Sequence, residues 1–321
     1  MRVMRTSRPV TAGAYGPAFR ALTLVCLACA YLLVVLGDTV RVTESGMGCR
    51  SWPLCNGSAG LSGSYHAMLE QSHRYLAATV SVLVAAVFAV AWRRARNDRL
   101  TFRSAAAALG LIAVQVLLGA ITVFAHNAGW TVALHLAGAW LVVAAVTVTA
   151  VGVRRASAPA IARTGAPDVR LGLTAAVALF ALSVSGMLVL HEGASNACPG
   201  WPTCGSGTAA VGLVALQYLH RSLALLASVL VVAAAARAWR ARPTGLARRA
   251  LAGGAVALLA ATAAAGAVVA TTGAPPAAQG IHLAVASALW IAVVAMAVPA
   301  AKVADPRMPE AAGLRKGRVM M

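Results

Sequence analysis

Residues 69–77 read LEQSHRYLA and residues 216–224 read LQYLHRSLA. Set one under the other, they align histidine on histidine and arginine on arginine, with Glu70 on Gln217 three residues ahead. A second pair of stretches keeps this register. LHLAGA at 134–139 falls on IHLAVA at 281–286, so His73 to His220 and His135 to His282 are both 147 residues. GAITVFAH from Gly119 lies without gaps on GAVVATTG from Gly266. Several uncommon residues coinciding at one offset mark an internal duplication, which organises everything else in the chain.

Composition says what is duplicated. Of 321 residues 60% are hydrophobic and only 11% charged, against about a quarter charged in soluble domains. Eight apolar stretches, at about 20–37, 69–92, 104–124, 131–153, 171–190, 213–239, 249–271 and 280–300, approach the roughly 20 residues a helix needs to cross hydrocarbon. Internal Gly and Pro are no objection to helices in lipid. The expected fold is therefore all-α and polytopic, with eight transmembrane helices arranged as two tandem four-helix bundles. The expected divisions are a tail at 1–19, a first half at 20–153, a linker at 154–170, a second half at 171–300 and a tail at 301–321. Span 1 lacks a small-residue cleavage site and reads as a signal anchor. Four spans per copy keep both copies in the same orientation, a parallel repeat about the membrane normal.

The net charge of +19 invites a nucleic-acid reading, but its distribution excludes one. Basic residues cluster before span 1 (Arg2, Arg5, Arg8, Arg20), between spans 2 and 3 (Arg93, Arg94, Arg96, Arg99, Arg103) and between spans 4 and 5 (Arg154, Arg155, Arg163, Arg170). They cluster again between spans 6 and 7 and after span 8, while the intervening loops hold only Arg41 and Arg50. This alternation places both termini in the cytoplasm and the loops 38–68, 125–130, 191–212 and 272–279 outside a cytoplasmic membrane.

His73, His135, His220 and His282 each fall near the outer start of an even-numbered span, at similar depth. Ionisable side chains inside a membrane are costly and usually face a functional interior. A single one could simply bond a backbone carbonyl, but a duplicated set of four argues for ligands. Zinc wants three or four donors, and these helices offer two at matching depth. A planar iron porphyrin wants one imidazole on each side and an apolar slot, so haem fits, one per half. Arg74 and Arg221 are candidate propionate contacts, since the guanidinium fork suits carboxylates; snorkelling toward headgroups is the alternative. Glu70 shares a helix face with His73 by its i, i+3 spacing and is a candidate proton carrier. Its other reading is a partner for Arg74 or an acceptor orienting His73. Gln217 cannot exchange a proton, so the first half reads as the reactive one. His66, His126 and His191 have no counterparts in the other copy and read as loop residues.

The outer loops carry CRSWPLC at 49–55 and CPGWPTC at 198–204. A structural disulfide, Cys49 with Cys55 and Cys198 with Cys204, is the first reading, because disulfides persist outside the cytoplasm and the prolines favour the turn. A redox-active dithiol in the first loop is the second reading. Cys26 and Cys29 sit among Leu and Ala inside span 1 and read as small apolar residues.

Taken together, RVTESGMGCRSWPLCNG (41–57), EQSHR (70–74), HLAGA (135–139), CPGWPTC, LHRSLA (219–224) and the His282 helix resemble the haem A synthase family over nearly the whole chain. The resemblance implies oxidation of one methyl of haem O to the formyl of haem A, by two successive hydroxylations and loss of water, for terminal oxidase biogenesis. It implies a haem b cofactor held by His220 and His282, a substrate haem at His73 and His135, and Glu70 as catalytic carboxylate. Haem O synthase and an electron donor are the implied partners beside the lipid bilayer, with self-association left open. Glu44 stands where a small residue is expected, and Arg50–Ser51 where Pro–Asp is more usual. Two other functions use the same pockets: a dihaem b-type cytochrome exchanging electrons with quinone, and a haem transporter. The Glu70/Gln217 difference favours the enzyme.

Overall fold

The computed structural model describes residues 15–60, 63–156, 166–205, 209–241 and 246–299. The expected C-terminal tail, the central residues of the expected linker and most of the N-terminal tail lie outside the described residues. Eight long helices dominate: α1 Pro17–Val42, α2 Tyr65–Arg94, α3 Arg99–Phe124, α4 Gly129–Ala156, α5 Ala166–His191, α6 Val211–Arg240, α7 Leu246–Thr271 and α8 Pro276–Ala297. Among the described residues there is no strand, only an isolated bridge between Cys55 and Ser58. All eight helices are long and apolar enough to cross a bilayer.

Local chemistry fixes several starts. Ser64 caps α2 by accepting from the Ala67 amide at 3.2 Å, the preferred way to satisfy a free N-terminal N–H. Asp98 caps α3 from the Thr101 amide and also takes the Thr101 hydroxyl at 2.6 Å. Pro17 and Pro276 occupy first-turn positions, where a missing N–H is harmless. Two helix ends depart from the hydropathy limits, in opposite directions. α1 continues to Val42, so Gly37, Asp38 and Arg41 belong to a helix and not to the loop expected from residue 38. α8 stops at Ala297, short of the expected 300. Hydropathy marks the hydrocarbon layer, whereas helical hydrogen bonding continues through the interface.

Packing is neighbourly. α1 and α3 each pack on α2 and α4, and α5 and α7 each pack on α6 and α8. Across these groups α8 meets α1 and α4, and α4 meets α5. The seam is polar at chosen points: Trp290 donates its indole N–H to the Trp140 carbonyl at 2.9 Å, with the rings 5.4 Å apart. Tyr31 on α1 donates to the Ala284 carbonyl on α8 at 3.2 Å. At the other end of α4, Arg155 bonds the Pro299 carbonyl at 2.8 Å and Asp98 at 3.3 Å. In lipid the hydrophobic effect does not separate helix from tail, so such bonds and small-residue contacts carry association.

Candidate functional site

The four histidines lie on α2, α4, α6 and α8, and each ring rests against a glycine of the preceding helix. A Cβ on Gly37 would lie 2.9 Å from His73 Cε1, one on Gly119 3.5 Å from His135, one on Gly186 3.1 Å from His220 and one on Gly266 3.0 Å from His282. Any larger side chain would push most of these rings away, so the glycines seat the imidazoles. His73 lies within electrostatic reach of His135, and His220 of His282. Among the described residues no three His, Cys, Asp or Glu side chains converge as a metal cage; the imidazoles come in twos.

The polar surroundings of the two pairs differ. His220 Nδ1 is 2.9 Å from the Ser185 hydroxyl oxygen, and His282 Nδ1 is 3.1 Å from the Thr262 carbonyl. His73 Nδ1 and His135 Nδ1 are buried without a hydrogen-bond partner.

Glu70 is buried, with 4% of its surface exposed. Its Oε1 accepts from Arg74 Nη2 at 2.6 Å and its Oε2 from the Cys49 amide at 2.7 Å. Both partners are donors only, which suits an ionised carboxylate. Gln217 behaves differently: its amide nitrogen donates to the Ala194 carbonyl at 2.8 Å and lies 3.3 Å from that of Ser195. It pins its loop with the opposite hydrogen-bond polarity, which the sequence alignment alone does not reveal.

The arginines are occupied. Arg74 donates to the carbonyls of Ser51 at 2.7 Å, Pro53 at 3.2 Å and Cys49 at 3.3 Å, besides its ion pair with Glu70. Arg221 donates to the carbonyls of Pro202 at 3.1 Å and Cys198 at 3.0 Å. Each therefore ties its cysteine loop down beside the following turn of the histidine helix, where the sequence suggested propionate contact or snorkelling.

Disulfides close both loops, Cys49 to Cys55 with Cα atoms 4.7 Å apart and Cys198 to Cys204 at 4.2 Å. The first loop approaches α2 so closely that a Cβ on Gly48 would lie 2.5 Å from the His66 carbonyl carbon. Arg50 and Ser51 close their own turn: the Arg50 amide donates to Asn56 Oδ1 at 3.0 Å and Ser51 Oγ to the Leu54 carbonyl at 2.7 Å. Glu44 adopts φ 55°, and the second loop has Gly193 at φ 68° at the corresponding point before its 3-10 turn. Of the remaining histidines, His66 Nδ1 bonds the buried Ser45 hydroxyl at 2.8 Å. The His191 ring lies against Gly129 at the start of α4, and His126 occupies a left-handed turn position.

One cluster was not anticipated. Asp38, next to Gly37, is 5% exposed; its Oδ1 accepts from Arg41 Nε at 2.7 Å while its Oδ2 is buried without a partner. Arg41 also reaches Gln279 Oε1 on α8 at 3.2 Å. An Asp and an Arg three residues apart in an otherwise apolar helix end was the available signal.

Eight apolar helices with half-buried imidazole pairs and disulfide-closed loops define a polytopic membrane protein. The comparisons agree: residues 20–66 and 61–294 match the model of a family described as cytochrome oxidase assembly protein. A protein named heme A synthase from Symbiobacterium thermophilum is 31% identical over 225 residues, covering 67% of this chain and 74% of its own length. Those of Bacillus licheniformis (28% over 234 residues, 70% and 76%) and Geobacillus kaustophilus (30% over 225 residues, 66% and 69%) are similar in extent. The chain belongs to the haem A synthase family.

Proposed function

We propose that this chain is a haem O-oxidising oxidoreductase that converts one porphyrin methyl to the formyl of haem A. Each of two hydroxylations replaces a C–H by C–OH with one oxygen atom of dioxygen, the other leaving as water with two electrons and two protons from the electron donor. The resulting geminal diol loses water to leave the aldehyde. Family membership supports the activity. The observation that carries the division of labour is Glu70, a buried carboxylate three residues from His73, where the matching position before His220 holds Gln217.

In this reading α1–α4 form the substrate half and α5–α8 the cofactor half. His73 and His135 hold haem O through their imidazoles, and His220 and His282 hold haem b. The donor set fits: nitrogen ligands in twos, each seated on glycine, between apolar helices. Haem b, when bound, supplies one-electron transfer. Glu70 takes up a proton at Oε1 or Oε2 during methyl oxidation, and Arg74 and the Cys49 amide hold it in position. Arg74 and Arg221 secure the loops over the two sites; contact with a propionate uses the N–H groups left over. The positive-inside distribution of arginine supports cytoplasmic termini and sites toward the outer face of the cytoplasmic membrane. Haem O synthase delivers the substrate, and a membrane electron carrier serves the haem b half.

The test is production of the protein in a host that makes haem O but no haem A, followed by haem extraction and chromatography. Haem A or its hydroxylated precursor is expected. Bound haem without either product overturns the enzyme in favour of a cytochrome or a transporter.

A further inference from the structure

The two imidazole pairs differ in what fixes them. Ser185 donates its hydroxyl proton to the Leu182 carbonyl at 2.7 Å. With that proton engaged its oxygen can accept, so we assign the 2.9 Å contact with His220 as an Nδ1–H donation, a direction the neighbouring Leu182 carbonyl also favours. The Thr262 carbonyl facing His282 Nδ1 at 3.1 Å can only accept. Both second-half rings thus carry their proton on Nδ1 and present an unprotonated Nε2, the form that binds iron. Nothing equivalent holds the first pair, whose Nδ1 atoms are buried and unpartnered.

For His220 and His73 the cause is legible in the sequence. Ser185 precedes Gly186, the seat of His220, whereas Leu36 precedes Gly37, the seat of His73. A leucine offers no acceptor. The acceptor facing His282 is a backbone carbonyl, which Gln115 at the matching position of α3 also has, so His135 lacks its partner through helix placement and not through residue type.

We propose that Ser185 and the Thr262 carbonyl are positioning groups that make His220 and His282 permanent haem ligands, while the partnerless His73 and His135 make the first site an exchanging one. An Nδ1–H bond locks ring orientation and raises ligand basicity, and losing such a partner costs about 10–100-fold in metal affinity. A site that must release its product gains from lacking it. The proposal rests on the haem assignments above and adds the device that separates the two sites.

The experiment uses the full-length detergent-solubilised protein and an excess of apomyoglobin as haem trap, with electron paramagnetic resonance of the ferric haem as second readout. Ser185→Ala should lose b-type haem about 10–100-fold faster than wild type and shift its low-spin signal. Ser185→Thr, which keeps an oxygen, should restore both. Leu36→Ser should slow haem release from the first half and slow turnover with it. Wild-type release and spectrum in Ser185→Ala would overturn the proposal, and if that variant does not fold, unchanged release in Leu36→Ser overturns it. His220→Ala separates the two levels: if it retains b-type haem, the cofactor assignment itself fails; if it loses haem while Ser185→Ala does not, only the present proposal does.

Discussion

The backbone amide of Cys49 donates to Oε2 of Glu70 at 2.7 Å, so the disulfide loop and the buried carboxylate form one unit. Opening the Cys49–Cys55 bridge loosens that amide. The Cys198–Cys204 bridge has no such link, because Gln217 bonds the Ala194 carbonyl instead. Replacing Cys49 and Cys55 by serine should therefore lower haem A formed per haem b far more than replacing Cys198 and Cys204. Equal losses, measured by chromatography of extracted haems, would contradict the linkage.

Glu70→Gln should retain b-type absorption and lose product by about 10²–10⁴-fold, the usual worth of a positioned proton carrier. The amide also turns an N–H₂ toward Arg74 or toward the Cys49 amide, both donors, leaving one unpaired at a cost of about 1–3 kcal/mol. Product yield and thermal stability measured on the same preparation separate the two effects. Undiminished product with lowered stability would leave Glu70 only a structural role.

Arg41 neutralises a carboxylate that is 3% exposed at its side chain. Arg41→Met should cost about 3–5 kcal/mol, because it strands a buried charge, whereas Asp38→Asn combined with Arg41→Met should recover most of that. Thermal unfolding of the single and double variants checks the cycle. Additive losses would mean the pair does not interact.

Glu44 holds a left-handed conformation at φ 55° and is exposed. Relief of that conformation on Glu44→Gly, the residue type of Gly193 in the second loop, should raise stability by up to about 1 kcal/mol, with haem content unchanged. A loss of stability would show that the glutamate makes a compensating contact.

Much of this was legible beforehand. The eight spans follow from hydropathy, and the duplication follows from His73, His135, His220 and His282 at one offset. Two of the glycine seats, Gly119 and Gly266, stood aligned in GAITVFAH and GAVVATTG. The other two were hidden, since Gly37 and Gly186 are 149 residues apart and not 147, the second loop being two residues shorter. The three-residue spacing of Asp38 and Arg41 carried a signal, but charges end a hydropathy span while the helix carries on, which put the pair in the expected loop. The occupation of Arg74 and Arg221 by loop carbonyls depends on how a turn folds back in space. No one-dimensional pattern records that.

The central claim is that the two imidazole pairs do different work, and haem content of histidine variants tests it most directly. Purified His282→Ala should lack b-type absorption, while His135→Ala should keep it and yield no haem A from haem O. Loss of b-type haem from both variants alike, or from His135→Ala alone, would contradict the account.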